Sequence, residues 1–221
     1  MTAPPEDFAA QRENMVDTQI RARGVKGEKV LAAMGKVPRH LFVPEALRAF
    51  SYGDEPLPIG EGQTISQPYM VAIMTELLKL KGTEKVLEVG TGSGYQGAVI
   101  AELTKEVYTI ERIESLADRA AETFRSLSYK NIHIKTGDGT LGWPEEAPFD
   151  RIIITAASPK VPEPLLEQIA MNGIIVIPVG SRFSQELLKI TKTGRGLVQE
   201  YHTPCVFVPL IGKFGWEKDS V

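Results

Sequence analysis

The chain has 221 residues, enough to bury a full hydrophobic core within one domain. Its composition, 43% apolar and 24% charged, is typical of a soluble globular protein, and no apolar run approaches the roughly 20 residues that a membrane-spanning helix needs. A net charge of −3 argues mildly against a general nucleic-acid binder. Cys205 is the only cysteine, which excludes an intrachain disulfide, and the N-terminal "MTAPPEDFAA" has acids where a signal peptide has basic residues. We therefore expect a monomeric, cytoplasmic protein with no membrane or nucleic-acid partner.

The N-terminal part of the chain has the spacing of helices. Apolar residues share one face in two segments of the first 50 residues, one at Met15–Ile20 and one over 30–37. The segment 36–50 adds a turn and a short helix. A glycine- and proline-rich segment follows over 51–68, and its centre, "QTISQ", is too polar for a core strand. The next helix begins near Pro68, because proline is favoured in a first turn.

From residue 85 onward, strand and helix patterns alternate. Strands are predicted over 85–89, 106–111, 131–136, 149–157, 173–180, 186–193 and 203–211, with helices over 95–104, up to about 127, and over 162–171. Strands separated by helices pair in parallel, whereas the last two, joined by a Gly-Arg-Gly turn, form an antiparallel edge. The sequence thus predicts a single α/β domain over 1–221, with a doubly wound, mostly parallel seven-stranded sheet over 85–221. It is preceded by a helical subregion over 1–58 and by a loop and helix over 59–84, and its ligand should bind at the carboxyl ends of the strands.

The stretch "LEVGTGSGYQG" lies where the first of these strands meets a helix, which is the place of a ligand-binding glycine loop. Gly90, Gly92 and Gly94 alternate there, but Tyr95 follows, so the dinucleotide pattern G-x-G-x-x-G is absent. This spacing lets the chain curl under a ligand smaller than a pyrophosphate, and Glu88 can face a cation. The alternative is a plain tight turn, which three alternating glycines after a buried strand disfavour.

Two further acidic residues follow later strands. Glu111 ends the second strand of the sheet, where a carboxylate can accept hydrogen bonds from both hydroxyls of a ribose. Asp138 lies in "TGDGT" after the third strand, where it could accept a hydrogen bond from an adenine amino group. The alternatives are a solvated carboxylate for Glu111 and an ordinary Asp-Gly turn for Asp138. Together the three strand ends predict a site for an adenosine without a pyrophosphate.

This combination resembles the class I methyltransferases, which bind S-adenosylmethionine. Motifs outside the shared core, among them "GQTISQPYM", "VPRHLFVP", "GDGTLGWPEEAPFDRIIITAA" and "FVPL", further resemble the protein-L-isoaspartate O-methyltransferase family over about residues 12–211. The resemblance implies methyl transfer from S-adenosylmethionine to the free carboxyl group of L-isoaspartyl residues in damaged proteins and peptides, which initiates their repair. It also implies cofactor contacts from Ile59, Gly60, Gly62, Glu88, Gly90, Thr91, Gly92, Ser93, Gly94, Glu111, Arg112, Asp138, Gly139 and Thr155.

The acceptor side of the predicted site lies in the segment "TIS". The family's active-site serine falls on Ser66, with Thr64 as a second hydroxyl. A carboxylate, with an ordinary pKa of about 4, is already an anion at neutral pH. It therefore needs alignment, desolvation and a hydrogen-bond donor, which a hydroxyl supplies without neutralising the nucleophile. The alternative role of Ser66 is to cap the helix that begins at Pro68, and the two roles can coexist.

Other features separate this prediction from its competitors. The segment "TAASP" stands where amino-nitrogen methyltransferases carry an Asn/Asp-Pro-Pro-Tyr motif, and Cys205 lies far from the glycine loop, which disfavours a thiol-adduct mechanism. His202 and Cys205 are too few ligands for a zinc site, so no metal is expected. An RNA methyltransferase would call for a basic face or an added RNA-binding module, and neither is visible in the sequence. A non-catalytic cofactor-binding or interaction protein that kept the fold is the other alternative, and the intact glycine loop, Glu111, Asp138 and Ser66 argue against such decay. The resemblance further implies that "CVFVPL" borders the groove for the isoaspartyl peptide.

Overall fold

The computed structural model describes residues 7–217 and confirms the helical N-terminal part. Its helical segments are α1 (Phe8–Asn14), a π-helical turn (Met15–Ile20), a 3-10 turn (Arg21–Arg23), α2 (Glu28–Lys36) and two 3-10 helices (Arg39–Phe42 and Glu45–Phe50). Gly24 ends the first continuous stretch, because its φ of 98° is a left-handed conformation that glycine adopts without strain. The buried face of this part carries Met15, Ile20 and Met34.

A two-stranded antiparallel hairpin follows where the sequence predicted a loop. Strands β1 (Leu57–Gly60) and β2 (Gln63–Ile65) pair through Leu57 with Ile65 and through Pro58 with Thr64. The hairpin forms because alternate residues, Leu57, Ile59 and Ile65, are apolar and face inward, while Thr64 faces outward. Helix α3 (Pro68–Leu77) begins directly after it, with proline in its first turn as predicted.

The rest of the chain forms the predicted seven-stranded sheet, in the order β5-β4-β3-β6-β7-β8-β9. The strands are β3 (Lys85–Val89), β4 (Glu106–Glu111), β5 (Ile132–Thr136), β6 (Phe149–Ile154), β7 (Ile169–Gly180), β8 (Gln185–Thr193) and β9 (Gly196–Cys205), and the helices between them are α4 (Tyr95–Ala101), α5 (Glu114–Ser126) and α6 (Glu163–Gln168). Strands β3 to β7 pair in parallel, and β7, β8 and β9 pair antiparallel. The strand order reverses between β3 and β6, so the crevice expected for a ligand opens there.

The position of the last strand differs from the prediction. The sequence placed it over 203–211, but β9 occupies Gly196–Cys205 because the tight turn pairs Thr193 directly with Gly196. Residues 206–211 leave the sheet edge and return across the carboxyl ends of the strands, where Pro209 forms a parallel bridge with Ala157. The apolar run "CVFVPL" therefore resembled a strand without being one. The predicted helix over 162–171 is also shorter, since Ile169 already belongs to β7.

Apolar side chains cover both faces of the sheet. On β3, Val86 packs on one side with Met74 of α3 and Ile100 of α4. Leu87 packs on the other side with Leu165 of α6. Strands buried on both faces are continuous apolar runs, which is why their positions could be predicted. Within the described range 7–217, no helix combines the length and apolar character required to cross a bilayer.

Candidate active site

A pocket opens at the carboxyl ends of β3, β4 and β6 and collects residues from distant parts of the chain. Four groups form its wall: the glycine loop, the ends of β4, β5 and β6, the hairpin, and the returning C-terminal segment. Its lining includes Gly90, Thr91, Gly92, Ser93, Tyr95 and Gln96; Ile110, Glu111, Arg112, Gly139, Thr155 and Ala156; Gln63, Thr64, Ile65 and Ser66; and Val208, Pro209, Leu210 and Ile211.

The glycine loop adopts a conformation that requires glycine at its first position. Gly90 has a φ of 98°, and a Cβ atom there would lie 2.5 Å from Oγ1 of Thr155. That hydroxyl instead donates a hydrogen bond to the carbonyl oxygen of Gly90 at 2.6 Å, which fastens the loop to the end of β6. Gly94 serves packing rather than the pocket, because a Cβ atom on it would lie 2.8 Å from the ring of Phe124. Gly90 and Gly92 thus line the pocket, whereas Gly94 does not.

The carboxylate of Glu111 lies beside the loop, at the end of β4. One oxygen accepts a hydrogen bond from the N–H of Gly92 at 2.9 Å, and the other accepts from the N–H of Ile113 at 3.0 Å. A carboxylate offers about four acceptor positions, so about two remain for ligand hydroxyls. Arg112 lines the same part of the pocket. This arrangement excludes the alternative of a merely solvated carboxylate, because Glu111 is 6% exposed.

Glu88 lies under the glycine loop and not in the pocket, which corrects the prediction that it faces a bound cation. Its side chain is fully buried and turns toward α4, where a Cβ atom on Gly97 would lie 2.8 Å from Oε2. Oε2 accepts a hydrogen bond from the hydroxyl of Thr109 at 2.6 Å, and that hydroxyl lies 2.6 Å from the hydroxyl of Thr91 in the loop. Burial raises the pKa of Glu88 to about 8 against the opposing effect of the Thr109 hydrogen bond, and the nearby Glu111 adds to the rise.

The hairpin contributes the two hydroxyls that the sequence singled out. Ser66 and Thr64 both line the pocket that contains the glycine loop. The N-cap residue of α3 is Gln67, and no side chain in the described structure caps this helix, so the capping role considered for Ser66 is excluded. The Ser66 side chain is half-buried at the pocket wall. Ser66 is therefore part of the pocket wall and does not cap the helix, and its contact with a ligand stays a prediction.

Two contacts fasten the turn of the hairpin to α5. Arg119 donates a hydrogen bond from Nη2 to the carbonyl oxygen of Ile59 at 2.9 Å, and Ser115 donates from its hydroxyl to Glu61 at 3.0 Å. Glu61 therefore directs its charge to α5 and does not line the pocket. Ile59 packs toward the loop, since its Cδ1 lies 3.7 Å from the position of a Cβ atom on Gly92. Ile59, Gly60 and Gly62 are not part of the pocket wall and shape the hairpin that bears Thr64, so their cofactor contacts stay a prediction.

The segment after β5 places one predicted residue in the pocket wall and the other beside it. Gly139 lines the pocket and packs closely on β3, because a Cβ atom there would lie 2.5 Å from Cγ1 of Val89. Asp138 does not line the pocket. Its Oδ1 accepts hydrogen bonds from the N–H and hydroxyl of Thr140 at 2.9 and 2.6 Å, and its Oδ2 accepts from the N–H of Lys213 at 2.8 Å. These three donors leave about one acceptor position on the carboxylate, and the contact between Asp138 and an adenine amino group stays a prediction.

Several wall residues were not among the predicted site residues. Tyr95 and Gln96 form the first turn of α4 and face the pocket directly after the glycine loop. Gln96 is held by a hydrogen bond from Nε2 to the hydroxyl of Thr75 at 2.8 Å, and Arg39 lies over the ring of Tyr95 at 4.9 Å. The position of both residues just after a ligand loop was a signal that could have identified them. Among residues 7–217, no group of three or more His, Cys, Asp or Glu side chains is arranged to hold a metal ion.

A mostly parallel sheet of this order, with a glycine loop after its central strand and a buried carboxylate at the end of the neighbouring strand, defines a class I methyltransferase that uses S-adenosylmethionine. Within that class, the chain belongs to the protein-L-isoaspartate(D-aspartate) O-methyltransferase family, whose family model matches residues 10–215.

Individual relatives agree with this assignment. A protein-L-isoaspartate O-methyltransferase of Geobacter metallireducens is 58% identical over 95% of this chain and 98% of its own length. Protein-L-isoaspartate O-methyltransferase 1 of Syntrophobacter fumaroxidans is 54% identical over 96% of this chain and 99% of its own length. Among solved structures, a Plasmodium falciparum protein assigned to the same activity, in complex with S-adenosyl-L-homocysteine, is 26% identical with a TM-score of 0.79 over 90% of this chain and 98% of that one.

Proposed function

We propose that the pocket transfers a methyl group from S-adenosylmethionine to the free carboxyl group of L-isoaspartyl residues in proteins and peptides, with Ser66 and Thr64 as the hydroxyls that orient the acceptor. The observation that carries this proposal is that both hydroxyls line the same cavity as the glycine loop and Glu111. A carboxylate bound there would lie between donors of the hairpin and the cofactor. Family membership supports the reaction and the substrate class.

The residues present fit the cofactor that the family uses. Gly90 and Gly92 line the pocket with backbone and no side chain, which suits the amino-acid part of S-adenosylmethionine. Glu111 keeps about two acceptor positions free for ribose hydroxyls. Gly139 and Ile110 line the same pocket, and we place the adenine ring beside them. Arg112, Ser93 and Thr155 complete the proposed cofactor wall, and Thr155 acts through its bond to the carbonyl of Gly90.

The chain's own residues have a limited but definite role in the reaction. When bound, S-adenosylmethionine supplies a methyl group on a sulfonium sulfur, so the carbon–sulfur bond breaks as a carbon–oxygen bond forms, and the sulfur keeps the electron pair. The acceptor carboxylate is already ionised at neutral pH, so no residue has to remove a proton. Ser66 donates a hydrogen bond to one carboxylate oxygen and leaves the other oriented for attack. The apolar wall of Val208 and Leu210 excludes water, which strengthens this alignment.

The test uses two synthetic peptides that differ only in isoaspartate or aspartate at one position, with labelled S-adenosylmethionine. We expect label only on the isoaspartyl peptide. Replacing Ser66→Ala should lower kcat by about tenfold to a hundredfold, in the range of a lost orienting hydrogen bond. The dissociation constant for S-adenosyl-L-homocysteine should stay within about twofold, since the loop and Glu111 are unchanged.

Ser126→Ala is the matched control, because it removes a hydroxyl from the exposed end of α5. It should leave both kcat and cofactor affinity unchanged. Equal labelling of the two peptides, or of neither, would reject the proposed acceptor. A kcat for Ser66→Ala equal to that of the control would reject the role of Ser66 while leaving the reaction intact.

The same proposal includes the setting of the reaction. We place it in the cytoplasm, on protein substrates and not on nucleic acid or a membrane, with the chain acting as a monomer. The lone cysteine and the acidic balance, with a pI near 5.7, support this setting. Size-exclusion chromatography with light scattering tests the oligomeric state, and an elution mass of about twice 24.3 kDa would contradict it.

A further inference from the structure

The side-chain amide of Gln96, in the first turn of α4, has an orientation that its partner on α3 fixes. Its Nε2 donates a hydrogen bond to the hydroxyl of Thr75 at 2.8 Å. That hydroxyl has a single hydrogen, which it donates to the carbonyl oxygen of Val71 at 2.7 Å. The hydroxyl can therefore only accept from Gln96, so the nitrogen of the amide, and not its oxygen, must face α3.

The oxygen of the same amide meets the cavity. Gln96 lines the pocket although only 7% of the residue is exposed. Within residues 7–217, no donor reaches Oε1, and Oε1 is not among the polar atoms that the protein encloses without a partner. Because Nε2 is directed to α3, a residue that is more than nine-tenths buried presents an open hydrogen-bond acceptor to the pocket.

An acceptor in this position favours a ligand that brings a donor to it, since an acceptor that is desolvated and left unpaired costs free energy. In the proposed site, the ribose hydroxyls of the cofactor meet Glu111, and the adenine ring lies beside Gly139. The amino-acid part lies at the glycine loop, directly before Gln96 in the chain. Its α-ammonium group is therefore the donor that is closest to Oε1 and still needs an acceptor.

The charges of the pocket wall leave this ammonium group to a neutral acceptor. Glu111 is the only carboxylate in the wall that the described residues form, and its free acceptor positions are assigned to the ribose. Arg112, in the same wall, would repel a cation. Glu88 lies under the loop, where its Oε2 accepts from the hydroxyl of Thr109. An amide oxygen can bind an ammonium group without bringing a second negative charge near the anionic acceptor.

A second amide of the wall, that of Gln63, is held less firmly. Its Nε2 donates to the carbonyl oxygen of Glu61 at 3.2 Å, within the hairpin turn. The amide of Gln96 is instead fixed to α3 by a buried hydrogen bond of 2.8 Å. A preorganised acceptor loses less entropy on binding, so the geometry favours Gln96 over Gln63 as the partner of the ammonium group.

We infer that Oε1 of Gln96 accepts a hydrogen bond from the α-ammonium group of the cofactor, and that Thr75 is a positioning residue that keeps this oxygen turned to the pocket. The inference rests on the proposed function for the placement of the cofactor. The ammonium group and the sulfonium sulfur belong to the same short chain, so fixing the first also helps to aim the methyl group. Thr75 thus acts on the cofactor only through Gln96.

The test measures the binding of two ligands that differ in one group: S-adenosyl-L-homocysteine, and its deamino analogue, in which hydrogen replaces the amino group. The variants are Gln96→Met, Thr75→Val and Thr75→Ser, with Gln199→Met on the exposed strand β9 as the matched control. Methionine keeps the length of glutamine but is only a weak acceptor. Isothermal titration calorimetry gives each dissociation constant, and thermal unfolding verifies that each variant is folded.

We expect Gln96→Met to raise the dissociation constant of S-adenosyl-L-homocysteine by about tenfold or more, the effect of losing a hydrogen bond to a charged group. The dissociation constant of the deamino analogue should change by less than about twofold, since this ligand cannot make the lost bond. Thr75→Val should weaken S-adenosyl-L-homocysteine by about threefold to tenfold, because the amide is then free to turn. Thr75→Ser keeps the hydroxyl and should bind both ligands as wild type does, and so should the control.

Three results would overturn the inference. An equal loss of affinity for both ligands in Gln96→Met would mean that the amide supports the shape of the pocket and not the amino group. Unchanged affinity for both ligands, with a raised KM for the isoaspartyl peptide, would assign Oε1 to the acceptor. A selective loss for S-adenosyl-L-homocysteine in Gln63→Met, and not in Gln96→Met, would assign the ammonium group to the hairpin. Thr75→Val that binds as Thr75→Ser does would reject the positioning role.

Failure of the proposed function has a different signature, because these measurements need no turnover. If wild type did not methylate the isoaspartyl peptide while both ligands bound as expected, the acceptor would be rejected and the role of Gln96 would stand. If wild type bound neither ligand, the inference and the proposed cofactor site would fall together.

Discussion

Replacing Glu88→Gln should make the free energy of unfolding less dependent on pH. Burial raises the pKa of Glu88 from 4.5 to about 8, with the Thr109 hydrogen bond opposing the rise and Glu111 adding to it. The native protein therefore keeps a proton that the unfolded chain releases above pH 4.5. The stability that this proton provides is fully present below pH 4.5 and is lost as the pH rises toward 8.

The size of the effect follows from the two pKa values. The two pKa values differ by about 3.5, and a difference of one in pKa is equivalent to about 1.4 kcal/mol. The full change in unfolding free energy therefore approaches about 5 kcal/mol. Between pH 5 and pH 8, the wild-type chain should lose roughly 3–4 kcal/mol of unfolding free energy at this residue. Glutamine mimics the protonated side chain and has no such proton to release. The unfolding free energy of Glu88→Gln relative to wild type should therefore increase by roughly 3–4 kcal/mol over this range.

Urea unfolding at pH 5, 6, 7 and 8 measures this difference directly. The contributions of other titrating groups to the unfolding free energy cancel when each variant is compared with wild type at the same pH. Glu122→Gln on the exposed face of α5 is the matched control, and its difference from wild type should not change with pH. If the difference for Glu88→Gln were also constant, to within about 1 kcal/mol, Glu88 would titrate in its ordinary range and the argument from burial would fail.

Two further predictions concern the hairpin and the glycine loop. Arg119→Met keeps the stem of the side chain but removes the hydrogen bond to the carbonyl of Ile59. Hydrogen exchange in residues 57–65 should therefore accelerate, and kcat/KM for the isoaspartyl peptide should fall several-fold. Unchanged hydrogen exchange in these residues would contradict this prediction. Gly94→Ala combines a φ of 88° with a Cβ position 2.8 Å from Phe124, so thermal unfolding should show a loss of about 1–3 kcal/mol. Gly35→Ala within α2 should be neutral or stabilising by up to about 1 kcal/mol, and an equal loss in both variants would refute the steric reason.

The architecture of the sheet could be predicted from sequence because its central strands are buried on both faces. A run such as "RIIIT" at the end of β6 has no polar alternation, and helices separate it from its neighbours, so parallel pairing follows. Confirmed strand positions extend from Lys85–Val89 to Gln185–Thr193. The prediction failed at the edge, where "CVFVPL" is as apolar as a strand but Pro209 has no N–H to donate and Val206 is 74% exposed.

The hairpin was missed for a different reason. Its strands are only four and three residues long, and Gly60 and Gly62 dominate the local pattern. The buried residues Leu57, Ile59 and Ile65 carry the signal for a hairpin, but a segment this short has too few residues to establish a period. Its packing on α5 through Arg119, 60 positions away along the chain, is what gives it a defined shape.

Strand geometry explains why Glu111 lines the pocket and Glu88 does not. Glu88 is followed by Val89 within β3, and it shares the face of Val86, which packs on α3 and α4. Alternation along the strand could therefore have predicted that it is buried under the loop. Glu111 is the last residue of β4, where the sheet ends, so its side chain can reach the N–H of Gly92.

Asp138 marks the limit of what a local pattern can decide. The "GDG" turn fixes a carboxylate at a strand end, but the partner of Oδ2 is the N–H of Lys213, 75 positions later in the chain. The partner could not be inferred without knowing that the chain leaves the sheet after Cys205 and returns over the pocket. The motif therefore predicts a carboxylate at this strand end, but it does not predict the backbone donor that this carboxylate meets from a distant part of the chain.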